Sequence, residues 1–201
     1  MRVKLLLLVC VALVGGVWAA ADDLFPPAWR GQPGSTWAEW EFMNPDPNPL
    51  PDAGFNPYGM PQTQIYPGIG QQWWSELNGR QGVWPLSGEM WITVPNRPEP
   101  LPYKDIYIQL TWEPQVPGNR PLVDVTAPQA VSGTLLQEIP LGGLWMHSIY
   151  TMRLYPNPAS ETILITGGVD MDQLVIDTIC VPEPATVGLL ALVALVAFRR
   201  R

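Results

Sequence analysis

Residues 104–112 read KDIYIQLTW, and this stretch decides the fold because its apolar and polar side chains alternate. Four apolar side chains point to one side of an extended chain, namely those of Ile106, Ile108, Leu110 and Trp112. An alternation with a period of two residues predicts a β-strand that is buried on one face. The sequence therefore predicts an all-β fold.

Seven further segments carry the same kind of pattern, and proline and glycine separate them. The predicted strands are residues 36–42, 89–94, 122–126, 134–139, 144–155, 162–166 and 173–179. Because no segment of useful length has helical periodicity, we expect two stacked antiparallel sheets, a jelly-roll-like β-sandwich. No repeat of solenoid length occurs, which argues against a propeller or a β-helix.

A proline-rich segment interrupts the predicted strands between residues 43 and 67, where seven prolines occur. Proline lacks the N–H that a strand inside a sheet donates, so this segment cannot form a central strand. A loop of this length is either functional or packed against the fold. We expect it to pack across a sheet and cover an edge.

The tryptophans divide into two groups by the strand face on which they lie. Trp40 and Trp112 share a face with other apolar residues, so we predict them in the core. Three tryptophans alternate onto the polar side of their strands: Trp37, Trp91 and Trp145. An exposed indole beside polar groups can stack on a sugar ring, which makes these three candidate glycan-binding residues. Alternatively, the proline-rich segment or residues 71–84 cover them and form a minor core.

Catalytic motifs are not apparent. His147 is the only histidine, which excludes paired-histidine zinc sites, and the sequence contains no nucleophile elbow, Walker loop or dinucleotide fingerprint. We therefore expect no enzymatic activity and no cofactor. A secreted polysaccharide hydrolase stays open as an alternative, because a carboxylate pair cannot be picked out among many acidic residues.

Three aspartates just before or within the last predicted strand are candidate calcium ligands: Asp170, Asp172 and Asp177. Their spacing does not fit an EF-hand loop. Asp170 and Asp172 follow Gly167 and Gly168, so they are more simply turn residues. We therefore predict no metal site.

The N-terminus has the three parts of a secretory signal peptide. Arg2 and Lys4 precede an apolar run at residues 5–14, and three alanines end at Ala21. We expect the secretion machinery to recognise residues 1–21 and signal peptidase to remove them.

The C-terminus combines Pro182, Glu183 and Pro184 with an apolar run at residues 185–198 and a basic tail formed by Arg199, Arg200 and Arg201. As a helix the apolar run spans roughly 21 Å, against a hydrocarbon core of about 30 Å, so it is a short membrane segment. The two prolines disfavour a helix at the junction and keep it open to a protease. The sequence thus predicts a hydrophobic helix at each terminus.

The order of these three C-terminal features resembles the PEP-CTERM sorting signal of bacterial envelope proteins. The resemblance covers residues 181–201 only. It implies export, transient membrane anchoring through the C-terminus, and processing by an exosortase. An ordinary C-terminal anchor is the alternative.

Removal of both termini leaves one domain, residues 22–180. Residues 22–182 carry six basic and seventeen acidic side chains, and this negative charge argues against nucleic-acid binding. Cys180 is the only cysteine left, so an internal disulfide is impossible, and we expect it half-buried in a strand.

The sequence as a whole predicts an exported, non-enzymatic protein of the cell envelope or extracellular matrix. The resemblance associates this route with exopolysaccharide and biofilm matrix, so exopolysaccharide is an expected partner. The alternative is a dedicated carbohydrate-binding module that acts through its exposed tryptophans.

Overall fold

Thirteen β-strands form the regular structure of residues 23–181, the part of the chain that the computed structural model describes. The strands are β1 (Ser35–Trp40), β2 (Ala53–Phe55), β3 (Gln62–Tyr66), β4 (Trp74–Leu77), β5 (Arg80–Leu86), β6 (Glu89–Pro95), β7 (Tyr103–Pro114), β8 (Leu122–Ala127), β9 (Val131–Ser132), β10 (Thr134–Gly142), β11 (Trp145–Leu154), β12 (Ser160–Thr166) and β13 (Val169–Val181). All eight predicted strands are present. The predicted signal peptide, terminal helices, sorting residues and basic tail lie outside the described residues.

The strands form two antiparallel sheets. The larger sheet has the order β10-β11-β7-β13-β1-β2, with β5 added to one end of β13 and β4 paired to β5. The smaller sheet has the order β3-β6-β12-β8-β9. Eight of these strands have the sheet order of a jelly roll, which is β1-β13-β7-β11 in the larger sheet and β6-β12-β8-β9 in the smaller sheet. The predicted fold class is therefore confirmed.

The core lies between the sheets and is built from the inward residues of each alternating strand. Trp40 is 0% exposed and Trp112 is 2% exposed, which confirms both as core residues. Each indole N–H has an acceptor, since Trp40 donates to the Pro49 carbonyl at 3.2 Å and Trp112 donates to Ser148 Oγ at 2.9 Å. These two side chains are thus buried without an orphaned donor.

An N-terminal strap, residues 23–34, covers part of the outward face of the larger sheet, over β7, β11 and β13. Arg30 reaches Asp177 on β13 through Nε at 2.5 Å and Nη2 at 2.6 Å, and Asp177 is fully buried. The Phe25 backbone N–H donates to Gln109 Oε1 at 2.9 Å, and the Phe25 ring lies 6.0 Å from that of His147. This cover buries β13 on both faces. 

Cys180 is 2% exposed, deeper than the half-buried position that the sequence predicts. Its Sγ lies 3.1 Å from Asn157 Oδ1. It occupies the penultimate position of β13, between β1 and β7, where neighbouring strands enclose it.

The proline-rich segment forms two short strands rather than a continuous loop. One is β2, at the edge of the larger sheet, and the other is β3, at the edge of the smaller sheet. The Ile65 N–H donates to the Pro47 carbonyl at 2.7 Å, which folds the segment back on itself. Edge positions suit this sequence because they tolerate proline nearby.

Candidate functional site

The outward face of the smaller sheet is open to solvent along β3, β6, β12 and β8. Buried and accessible residues alternate along β3, β6 and β12, so the accessible ones share this face. We call this surface the open face; its central members are Gln62, Gln64, Trp91, Thr93, Thr162, Leu164 and Asp124. Most of them carry amide or hydroxyl groups, which donate and accept hydrogen bonds without a formal charge.

Trp91 lies near the middle of the open face. Across the sheet it is paired with Gln64 on β3 and Leu164 on β12, and its indole is partly exposed. Gln62 and Thr93 form the adjacent pair. A flat indole flanked by amide and hydroxyl groups is the arrangement that accommodates a sugar ring, whose C–H surface stacks while its hydroxyls find polar partners.

The proline-rich segment adds a wall to this surface. Asn48 and Leu50 lie beside Trp91, and together with it they line a depression of about 310 Å³. Side-chain oxygens stiffen the wall, because Asn44 Oδ1 accepts from the Asp46 N–H at 3.0 Å and Asp46 Oδ1 accepts from the Asn48 N–H at 2.8 Å. None of the residues that line the depression is acidic.

Trp37 lies on the other sheet, away from Trp91. The Arg30 guanidinium carbon sits 5.0 Å from the centre of its ring, and Phe55 on β2 is its cross-strand partner. A depression of about 600 Å³ adjoins it, between β1 and residues 51–61 of the proline-rich segment. One face of the indole is thus occupied by the strap.

Trp145 is 5% exposed, so the expectation that it is an exposed sugar-stacking residue is wrong. Its Nε1 donates to the Asn78 carbonyl at 3.1 Å, and the Arg80 guanidinium lies 5.5 Å from its ring centre. Both partners belong to the β4–β5 hairpin, within residues 71–84. The structure thus supports, for Trp145, the interpretation in which this segment covers it, and it does not bring the three tryptophans together.

His147 is buried beneath the strap and is 1% exposed. Its Nδ1 lies 3.1 Å from Thr111 Oγ1, and its Nε2 lies 3.3 Å from Gln109 Oε1. An imidazole with both nitrogens in hydrogen bonds and its ring against Phe25 is positioned to support packing.

The three candidate calcium ligands point to separate partners. Asp170 Oδ1 accepts from Gln115 Nε2 at 2.8 Å, Asp172 pairs with Arg80 at 2.8 Å, and Asp177 pairs with Arg30. No group of three metal-ligating side chains occurs within residues 23–181. The weak calcium hypothesis has no support from this geometry.

Three polar residues beside Trp91 were not predicted: Asn48, Gln62 and Gln64. The only available signal was the short alternation of β3, in which Thr63 and Ile65 are buried while their neighbours are exposed. Five residues of alternation inside a proline-rich segment carry too little information to predict a strand.

The C-terminal end of the domain leads directly into the sorting region. β13 ends at Val181, one residue before Pro182, and pairs with β7 through its last residues. Within residues 23–181, no helix has the length and apolar character needed to cross a bilayer. The described domain is a jelly-roll sandwich whose final strand leaves towards a C-terminal signal.

The β-sandwich and the C-terminal residues after it together place the chain in a class of proteins in which a globular β-domain is followed by a sorting signal. Residues 181–201 match the model of the PEP-CTERM protein-sorting motif. The chain therefore carries this motif, which implies export, processing by an exosortase and sorting to the cell surface. Comparison with curated proteins and with solved structures found no match.

Proposed function

We propose that the domain is a non-enzymatic component of the cell envelope or extracellular matrix that contacts exopolysaccharide through the open face. The observation that carries this proposal is the partly exposed indole of Trp91, set among Gln62, Gln64 and Thr93 beside a depression of about 310 Å³. The sorting motif supports a surface location for such a contact.

The lining of the depression favours binding over hydrolysis. Glycoside hydrolysis uses two carboxyl groups that flank the scissile bond. The residues that line the depression are amides, threonines, an aliphatic side chain and an indole. These groups can hold a sugar ring, but they do not supply an acid and a base.

A single contact of this size gives weak binding, whereas many such contacts together give strong binding. Burying about 60 Å² of apolar surface between the indole and a sugar ring contributes about 1.5 kcal/mol. Many copies at the cell surface that meet a repeating polymer gain affinity by multivalency. A structural matrix role needs no more than this, whereas a dedicated carbohydrate-binding module would bind as a single domain.

The proposal is tested by replacing Trp91 and measuring polysaccharide binding. Trp91→Ala should weaken binding to a responsive polysaccharide on a glycan panel about tenfold, which corresponds to about 1.4 kcal/mol. Trp74→Ala is the matched control, because Trp74 is 44% exposed but lies on β4, away from the open face. Equal binding by Trp91→Ala and wild type would refute the glycan contact, and release of reducing ends from any polysaccharide would refute the non-enzymatic role.

A further inference from the structure

A closed triangle of polar side chains lies buried at one end of the core. The side chains of Lys104 and Glu161 are both fully buried, and Lys104 Nζ lies 2.7 Å from Glu161 Oε1. Asn96 completes the triangle, because its Oδ1 accepts from Lys104 Nζ and its Nδ2 donates to Glu161 Oε2. An amine, an amide and a carboxyl group are thus held in mutual contact away from water.

The fold fixes all three members. Lys104 is the second residue of β7, Glu161 is the second residue of β12, and Asn96 directly follows β6. The Asn96 backbone N–H donates to the Ala159 carbonyl at 2.9 Å, and its Nδ2 also donates to the Pro158 carbonyl at 3.0 Å. The carboxamide is therefore held in place by groups outside the triangle, so the reacting atoms are preorganised.

Burial favours the nucleophilic form of the lysine. Desolvation lowers the pKa of Lys104, and the nearby Glu161 carboxylate only partly offsets this effect. A neutral amine carries a free electron pair, whereas an ammonium does not. An amine desolvated in this way is a recognised nucleophile towards carbonyl carbon.

We propose that Lys104 and Asn96 form an intramolecular isopeptide bond, with Glu161 moving the protons. Glu161 Oε1 takes one proton from the Lys104 ammonium, and the free amine attacks Cγ of Asn96 to form the C–N bond. Glu161 then delivers a proton to Nδ2, which faces its other oxygen. The bond between Cγ and Nδ2 breaks with its electron pair, and ammonia leaves.

The reaction balances without a further reactant. The new amide nitrogen passes its extra proton to Glu161, so that one amine and one primary amide become one secondary amide and ammonia. Glu161 ends as a neutral carboxylic acid. The product replaces a buried ion pair, which is costly to desolvate, with neutral groups. It also supplies a covalent cross-link in a domain whose only described cysteine is free.

Mass spectrometry of the full chain, purified in mild detergent and then denatured, tests the proposal. The wild-type mass should be lower by one ammonia molecule than the sequence requires. Trypsin cuts after an unmodified lysine, so the linked chain should resist cleavage after Lys104. Lys104→Arg keeps the cation but lacks the amine nucleophile, and it should show no loss of ammonia. Glu161→Gln should form the link about a hundredfold more slowly.

Each outcome for the wild-type chain is decisive, even if a variant fails to fold. Loss of ammonia together with protection of Lys104 supports the isopeptide bond. Full mass with normal cleavage shows a buried ion pair only and overturns the proposal. Loss of ammonia with normal cleavage after Lys104 indicates that an asparagine has cyclised onto its own backbone, and this result also overturns the proposal.

Discussion

Arg30 is the residue through which the strap is fastened to the larger sheet, so Arg30→Ala should destabilise the domain in a pH-dependent way. The guanidinium bridges Asp177 on β13 and Asp23 in the strap itself. Its own side chain is 17% exposed, whereas that of Asp177 is fully buried. Removing the arginine leaves a buried carboxylate without its cation.

The size of the effect is limited by the protonation of Asp177. Burial raises the pKa of Asp177 to about 6, although Arg30 lowers it in part. A pH of 7 is therefore about one unit above this pKa, and the carboxyl group is mostly ionised. Without Arg30 the pKa rises further and the group takes up a proton instead of remaining charged. Because one unit corresponds to about 1.4 kcal/mol, this electrostatic cost is about 1.4 kcal/mol at pH 7.

Two further losses add to the electrostatic cost. The cation–π contact with Trp37 contributes about 0.5–1 kcal/mol, and the hydrogen bonds to Asp23 contribute about 1 kcal/mol. We therefore expect a total loss of about 3 kcal/mol at pH 7. A raised folded-state pKa means that protonation stabilises the folded state, so the electrostatic part should vanish near pH 5 and reach about 2.7 kcal/mol at pH 8.

Urea unfolding of residues 22–181, followed by tryptophan fluorescence at pH 5, 7 and 8, measures this difference. Arg97→Ala is the matched control, since Arg97 pairs with Glu99 on the surface and its removal should leave the stability nearly unchanged at every pH. In an Asp177→Asn background, the loss caused by Arg30→Ala, measured against Asp177→Asn alone, should not depend on pH. An equal loss at pH 5 and pH 8 would refute the assignment of the effect to Asp177.

Two other changes test the core residue Trp40 and the carboxyl group of Glu41, which directly follows β1. Trp40→Ala should lower the free energy of unfolding by about 3–5 kcal/mol because Trp40 is 0% exposed, whereas Trp74→Ala, at 44% exposure, should cost less than about 1 kcal/mol in the same urea assay. Burial and the neighbouring Glu39 raise the pKa of Glu41 to about 7, so the folded state should lose stability as the pH rises from about 4.5 to 7. Glu41→Gln should remove about 1.5 kcal/mol of this loss, once the partial exposure of Glu41 is discounted, and unchanged pH dependence would contradict the assignment.

The fold was predictable because most of its strands have one face against the core. The alternation of residues 104–112 maps directly onto the buried face of β7, and the same rule identified β6, β11 and β12. Most of the strands that were missed are short or lie at edges, such as β2 with three residues and β9 with two. Their pairing depends on neighbours that are distant in sequence, so the local pattern is weak.

The candidate site was predictable only in part, for the same physical reason. Alternation correctly placed Trp91 on the outward face of β6. The same reasoning failed for Trp145, because strand periodicity states which side of a sheet a residue faces and not what covers that side. The cover comes from Asn78 and Arg80, more than sixty residues earlier in the chain. Contacts over such a separation leave no signal in the strand itself.

The two sheets differ in how much of their outward faces is covered. The strap covers β13 on the outward face of the larger sheet, and β13 is the strand that leads into the sorting motif. A force applied at the C-terminus therefore acts along β13, and the hydrogen bonds that pair β13 with β1 and β7 resist it. Lys104 is paired with Cys180, one residue pair before the end of the ladder between β7 and β13. The proposed cross-link to Asn96 therefore lies at the end of β13 that is nearest to the sorting motif. In the proposed function, the open face of the smaller sheet contacts exopolysaccharide, while the larger sheet contains the strand that leads into the sorting motif.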